Sequence, residues 1–284
     1  MNLDFYRKPV AFNDPGRFAP LLEDLPRDVG ALAKIVQGLL IHEHMTEAYG
    51  VQLPAERHGE AHVRPVAAIL DKIVADDPRP LAAARAPDDR YVCVCRSFAL
   101  LMVAILRSQG VPARARCGFG TYFEAGKGFD HWVTEFWNED RKRWVMVDAQ
   151  IDDHQRKMFA IAIDTLDVQR DEFLVAGDAW RLCRAGKADP KSFGIMNMWG
   201  YWFIASNIVR DIAALNNREM LPWDVWGAMT QDESQLDFAL VDRLAALTCE
   251  PDRHFDELRA LHRDPRFAVP ERVFNAVLNR PEAA

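Results

Sequence analysis

Cys95-Arg96-Ser97-Phe98-Ala99-Leu100-Leu101-Met102-Val103-Ala104-Ile105-Leu106-Arg107-Ser108-Gln109-Gly110-Val111-Pro112-Ala113-Arg114 governs how the rest of the chain must fold. From Phe98 to Leu106 there is almost no polar face, so the helix it predicts over 96–109 must be buried on nearly all sides. Gly110 and Pro112 close it. Upstream, Asp88-Asp89-Arg90-Tyr91-Val92-Cys93-Val94 reads as a polar-ended strand or loop. Cys95 stands at the junction, where a first helical turn offers free backbone N–H groups and a positive dipole end that favour a thiolate. That placement marks Cys95 as the reactive one of five cysteines.

Downstream the period changes to two. Val111, Ala113, Ala115, Cys117 and Phe119 share one face of a predicted strand, with Arg114 and Arg116 on the other. Two further strands, His131 to Trp137 and Arg143 to Asp148, flank the charged turn Asn138-Glu139-Asp140-Arg141-Lys142 and predict an antiparallel hairpin. A turn centred between Glu139 and Asp140 sets His131 directly opposite Asp148, with Cβ atoms about 5 Å apart. A carboxylate so placed holds one imidazole nitrogen and fixes the tautomer. A slip of two residues keeps the pair on one face; a slip of one separates it.

The flanks read as helical. Asp28 to Tyr49 carries Val29, Leu32, Ile35, Val36, Leu39 and Leu40 at helical spacing and stops at Gly50; a second helix runs from about Arg64 to Ala75, ended by Asp76-Asp77-Pro78. After Asp153 helices are expected over 171–184, 196–215, 235–247, 255–262 and 271–278. There is no internal repeat. Residues 1–90 are expected to form a helical region packed on a core at 91–152, and 153–284 a helical C-terminal region, all in one compact α+β domain.

Composition narrows the function classes. The 284 residues are 49% hydrophobic, enough for a sizeable core. A net charge of −7 without a long basic run disfavours nucleic acid as a partner. Residues 1–9 lack a secretory pattern, and the greasiest stretch, Ile195 to Val209, is interrupted by Asn197, Ser206 and Asn207, so neither export nor a membrane span is expected. An odd number of irregularly spaced cysteines argues for reduced thiols and a cytoplasmic location. A small-molecule or peptide substrate fits best.

Residues 95–114, Asp130-His131-Trp132-Val133-Thr134-Glu135-Phe136-Trp137 and Arg143-Trp144-Val145-Met146-Val147-Asp148, in that order, resemble the core of the transglutaminase-like superfamily. The helix exit Gly110-Val111-Pro112-Ala113-Arg114 is as distinctive as the three polar residues. The resemblance implies a papain-like arrangement, with the helix of Cys95 packed on an antiparallel sheet whose adjacent strands carry His131 and Asp148. It implies a Cys95 nucleophile, a His131 acid–base partner and an orienting Asp148, acting on an amide, peptide or thioester carbonyl through a thioester with no cofactor; the acceptor depends on features outside this core, and hydrolysis is expected somewhat ahead of transfer to an amine. Two positions depart from the pattern: Cys93 stands where glycine is frequent, and Ser97 where an acidic residue is common.

Other readings compete. A catalytically silent binding module would keep the fold. Cys93, Cys95, Cys117 and His131 are zinc-ligand types for a metal-dependent hydrolase, but structural zinc favours Cys-x-x-Cys over Cys-x-Cys. His58-Gly59-Glu60-Ala61-His62 imitates a zincin helix with its glutamate misplaced and reads as a loop. Met196 to Phe203 with Trp223 and Trp226 suggests core packing before an apolar pocket, and Arg114 and Arg116 suggest a solvated face or ion pairs before an anion site.

Overall fold

The computed structural model describes residues 2–284. After a series of short helical turns come α1 (Ala19–Glu23) and α2 (Val29–Leu39), the latter capped by the Asp28 carboxylate, which accepts from the Ala31 N–H at 2.8 Å. The helix expected to run to Tyr49 ends ten residues early. At Leu40 the chain becomes strand β1 (Leu40–His42) and pairs in parallel with β2 (Tyr91–Cys93), setting His42 opposite Cys93. Ile41 and Val92 bury their branched side chains against Val51, and this pairing outweighs helical periodicity. Gly50, at φ 76°, ends the 3-10 turns that follow rather than a long helix.

The helix α3 (Val66–Asp76) lies close to its expected span, and α4 (Cys95–Ser108) is buried along its length, every residue from Cys95 to Arg107 being buried. Its two arginines are inside because backbone carbonyls satisfy them. Arg96 donates to the Glu219 carbonyl at 2.6 Å and to that of Arg64 at 2.7 Å; Arg107 donates to the Ala113 carbonyl at 2.7 Å and to Asn217 at 2.8 Å. Gly110, at φ 78°, closes the helix, with its N–H bonded to Arg107 and that of Val111 to Leu106.

Strand β3 (Ala113–Gly120) pairs antiparallel with β4 (Gly128–Asn138), whose other edge receives β5 (Arg143–Val147). The helix α4 covers the face of Ala113, Ala115 and Cys117, and Thr134 donates its hydroxyl to the Ala99 carbonyl at 3.0 Å. After α5 (Asp153–Met158), β6 (Phe173–Val175) adds to the far edge of β3 and leads into α6 (Ala176–Arg184). A single helix was expected over 171–184, but its first residues meet the free edge of β3 and extend. Strands β7 (Phe193–Ile195) and β8 (Met198–Trp199) complete the sheet in the order β6-β3-β4-β7-β8.

Gly200, at φ 115°, separates β8 from α7 (Tyr201–Leu215), so the helix expected from Met196 starts five residues later. Strand β9 (Asp224–Val225), α8 (Phe238–Cys249) and α9 (Phe255–Leu261) follow. The helix expected over 271–278 is instead a hairpin of β10 (Arg272–Asn275) and β11 (Arg280–Ala283). Val273 and Asn275 face inward while Arg272 and Phe274 face out, a period of two, and Asn275 anchors the turn by accepting from the N–H groups of Val277 and Leu278. One cluster of buried apolar side chains takes Leu32 and Leu70, Leu100 and Trp132, and Ile208 and Leu244 from the three stretches of chain. No helix among the described residues is long and apolar enough to cross a membrane.

Candidate active site

The polar residues gather at a gap in the sheet. Along one edge of β4, β7 pairs only with Gly128 and Phe129, and β5 only from Thr134 onward, which leaves Asp130 to Val133 without a strand partner there. His131 lies in that gap. Its register with Asp148 differs from expectation: Asn138 faces Arg143, so the turn is centred between Asp140 and Arg141. The slip is by two, so the pair stays on one face, and Asp148, one residue past β5, lies diagonally from His131.

The imidazole Nε2 and the Asp148 Oδ2 are 2.8 Å apart, and both side chains are buried. Oδ2 also accepts the Tyr122 hydroxyl at 2.6 Å, and Oδ1 accepts the Gln150 N–H at 3.0 Å. Burial alone would raise this carboxyl's pKa, but His131, Tyr122 and Gln150 outweigh it and hold it below the usual carboxylate range. An ionised acceptor requires that Nε2 carry the proton. In the neutral ring Nδ1 then presents its lone pair, and it has no hydrogen-bond partner among the described residues.

Cys95 opens α4, where the Ser97 N–H bonds back to the Val94 carbonyl. The N–H of Cys95 itself belongs to the first turn, whose donors have no intrahelical partner. The residue is buried, 5% exposed. Burial pushes its pKa well up, the carboxylates of Asp130 and Asp148 push the same way, and the N–H groups of Arg96 and Trp132 pull against them. The thiolate expected from the helix terminus is therefore outweighed. A helix dipole supplies up to about 2 kcal/mol, whereas full desolvation moves a group by several pKa units at about 1.4 kcal/mol each. The structure brings His131 and Asp148 into contact and sets Cys95 near Trp132, the neighbour of His131, with no hydrogen bond between sulfur and ring.

Several residues of this environment went unread in the sequence. Tyr122 and Phe123, in the loop between β3 and β4, set their rings edge-on to His131 at 6.1 and 5.1 Å. Asp130 is buried on Asn207 at 2.8 Å and its pKa is raised, burial outweighing Arg210 and Asn207. Partly buried His42 accepts the His44 N–H on Nδ1 at 3.2 Å; its pKa is pushed down to about 3, first by loss of water and then by His44 and His131. Nothing in the periodicity of 121–123 or 40–42 marked them. The two departures at Cys93 and Ser97 meet in space: burial pushes the Cys93 thiol well up, and the Ser97 side chain pulls against it.

The other candidates fall elsewhere. Among the described residues no three His, Cys, Asp or Glu side chains converge as metal ligands, so Cys93, Cys95, Cys117 and His131 do not form the zinc site considered for them. Residues 58–62 form 3-10 turns. Arg114 and Arg116 are buried, not solvated, and bind Glu135, Asp211 and Asp252. A cavity of about 360 Å³ lies beside them, away from Cys95 and lined by Trp144, Arg170 and Arg253 among others.

Residues 71–149 match the family model of the transglutaminase-like superfamily. That span contains Cys95, His131 and Asp148. Among solved structures the chain is similar to one described as "a Putative Cysteine Protease from Cytophaga hutchinsonii", at 16% identity and a TM-score of 0.33, covering 52% of this chain and 42% of that one. The chain thus spans less than half the length of that protein. No curated protein matches it.

Proposed function

We propose that this chain, which carries a transglutaminase-like core over residues 71–149 in an α+β fold, is a cysteine-dependent enzyme acting on an amide, peptide or thioester carbonyl. The observation that supports the reading is the 2.8 Å contact of His131 Nε2 with Asp148, which in the neutral ring leaves Nδ1 as the base that this reading assigns to Cys95, the first residue of α4. Because the resting sulfur is a neutral thiol, Nδ1 takes its proton as the sulfur attacks. The Cys95 N–H is an oxyanion donor at the carbonyl oxygen, where charge develops only in the tetrahedral state. Imidazolium then protonates the departing amine or thiolate, and a thioester on Cys95 remains. Asp148 holds the ring and stabilises its charged form. The burial of Cys95, 5% exposed as a residue, favours the smaller acceptor, water, over an amine in releasing the acyl group. Its substrates are small amides, thioesters or peptides, in the cytoplasm.

Intact-mass detection of an acyl group on Cys95, across a panel of amides and thioesters, tests this and names the acyl group. Cys95→Ala should abolish both adduct and turnover. Full turnover by Cys95→Ala or His131→Ala would sink the reading. Burial of Cys95 favours one rival, a silent binding module, in which Cys95 alkylates no faster than Cys183 or Cys249, whose pKa values burial pushes up to about 12.

A further inference from the structure

Asp148 Oδ2 receives two donors, the Tyr122 hydroxyl at 2.6 Å and His131 Nε2 at 2.8 Å. Carboxylate oxygens can accept both, but each takes up part of the same negative charge. Tyr122 is held for this purpose from several sides. Its ring lies tilted against Phe123, centroids 4.7 Å apart, and meets His131 edge-on at 89°, while Phe123 packs on Phe159 at 5.6 Å. The loop is also tied down at its start, where the Thr121 N–H bonds to the Glu172 carbonyl at 2.9 Å. Phe123 packs close against the end of β3, where a Cβ on Gly120 would lie 2.6 Å from its ring.

We propose that Tyr122 is a positioning residue of the site, locking the Asp148 carboxylate in the plane of the His131 ring and drawing off part of its charge so that the imidazole releases its proton more readily. The proposal rests on the roles given above to Cys95, His131 and Asp148. Tyr122 touches neither the sulfur nor the attacked carbonyl in that scheme and acts only through Asp148. The phenol stays protonated throughout, burial and Asp148 both raising its pKa. With the hydroxyl removed, the full charge of Asp148 falls on Nε2–H, and the imidazolium is held longer as pH rises. The other titratable groups around the pair are Cys95 on α4, Asp130 on β4, His42 on β1 and Glu172 before β6.

The test is the pH dependence of Cys95 alkylation by iodoacetamide, read by peptide mass in the full chain and requiring no substrate. Nδ1 must be free to take the thiol proton, so the midpoint of that curve reports the imidazole. In Tyr122→Phe, which keeps the ring contacts, the midpoint should move up by roughly half to one pH unit. On an identified substrate kcat should fall about tenfold, with KM within about twofold. Uniform 3-fluorotyrosine, a stronger donor, should move the midpoint down, which preserves a readout if Tyr122→Phe fails to fold. A midpoint unmoved in both proteins overturns the proposal while leaving the Cys95 mechanism intact. Turnover surviving in Cys95→Ala overturns the mechanism, whatever Tyr122 does.

Discussion

Glu135 and His131 stand four residues apart on β4, both buried and on the same face of the strand, yet their surroundings spend charge in opposite ways. Glu135 receives the Arg114 Nε at 2.6 Å and the Arg116 Nη1 at 3.1 Å. Arg116 goes on to Asp211 at 2.9 Å and to the Thr248 carbonyl at 2.7 Å. Every charge in that cluster has an opposite neighbour. His131 has one strong partner, Asp148, and its other nitrogen makes no hydrogen bond to any described residue. Saturated ionic clusters fix structure, since breaking them strands a buried charge. A cluster with one nitrogen left over can exchange a proton with a substrate.

The sharpest way to break this comparison is to remove one member from each cluster. Asp148→Ala should lower turnover about 10⁴-fold, close to 5.5 kcal/mol of transition-state stabilisation, because the imidazolium loses its counter-charge. Its unfolding free energy should fall far less, by about 1–3 kcal/mol for the unsatisfied Tyr122 and Gln150 donors. Arg116→Met should do the reverse. Asp211 would keep only the Cys117 N–H at 3.0 Å, and stability should drop by about 3–5 kcal/mol by denaturant titration, with Cys95 alkylation unchanged. A variant pair that lost activity and stability in parallel would mean that the clusters are not separable.

Acid sharpens it next. Burial alone would raise the Glu135 pKa, but Arg116 and Arg114 hold it down at about 2, from an ordinary 4.5. A carboxyl depressed in the folded state contributes stability that is whole above about pH 4.5 and is lost as pH falls toward 2, because the unfolded chain binds the proton first. Asp148 is depressed too and acts with the same sign. Denaturant midpoints should therefore decline over that window in the native protein. In Glu135→Gln the decline should be shallower, and an equally steep one would assign the acid sensitivity elsewhere.

Much of this was legible beforehand, for reasons that differ by element. The helix at Cys95 announced itself by lacking a polar face and by its Gly110 and Pro112 exit. The His131 and Asp148 pair survived an error of two in the hairpin register because side-chain parity depends only on whether a slip is odd or even. What failed were segments decided by distant partners. Leu40 to His42 extends because β2 offers it a ladder, and Phe173 to Val175 because β3 has a free edge. The hairpin of β10 and β11 hid behind a helical-looking run whose true period of two spans only Arg272 to Asn275. Tyr122 was invisible because a loop residue acquires its partner only when β3 and β4 close.

The smallest effect tests where the saturated cluster ends. Arg114 reaches Asp252 at 3.2 and 3.4 Å, but that carboxylate is a quarter exposed, whereas Glu135 is buried. Water screens the outer pair, and the guanidinium also lies 4.0 Å from the Trp144 ring centroid, a contact that needs no carboxylate. Asp252→Asn should therefore cost under about 1 kcal/mol, and raising salt should erase most of the difference. A loss comparable with that of Arg116→Met would extend the buried cluster to Asp252. A near-silent result would set its boundary at Arg114, within the wall of the adjacent cavity that Asp252 also lines.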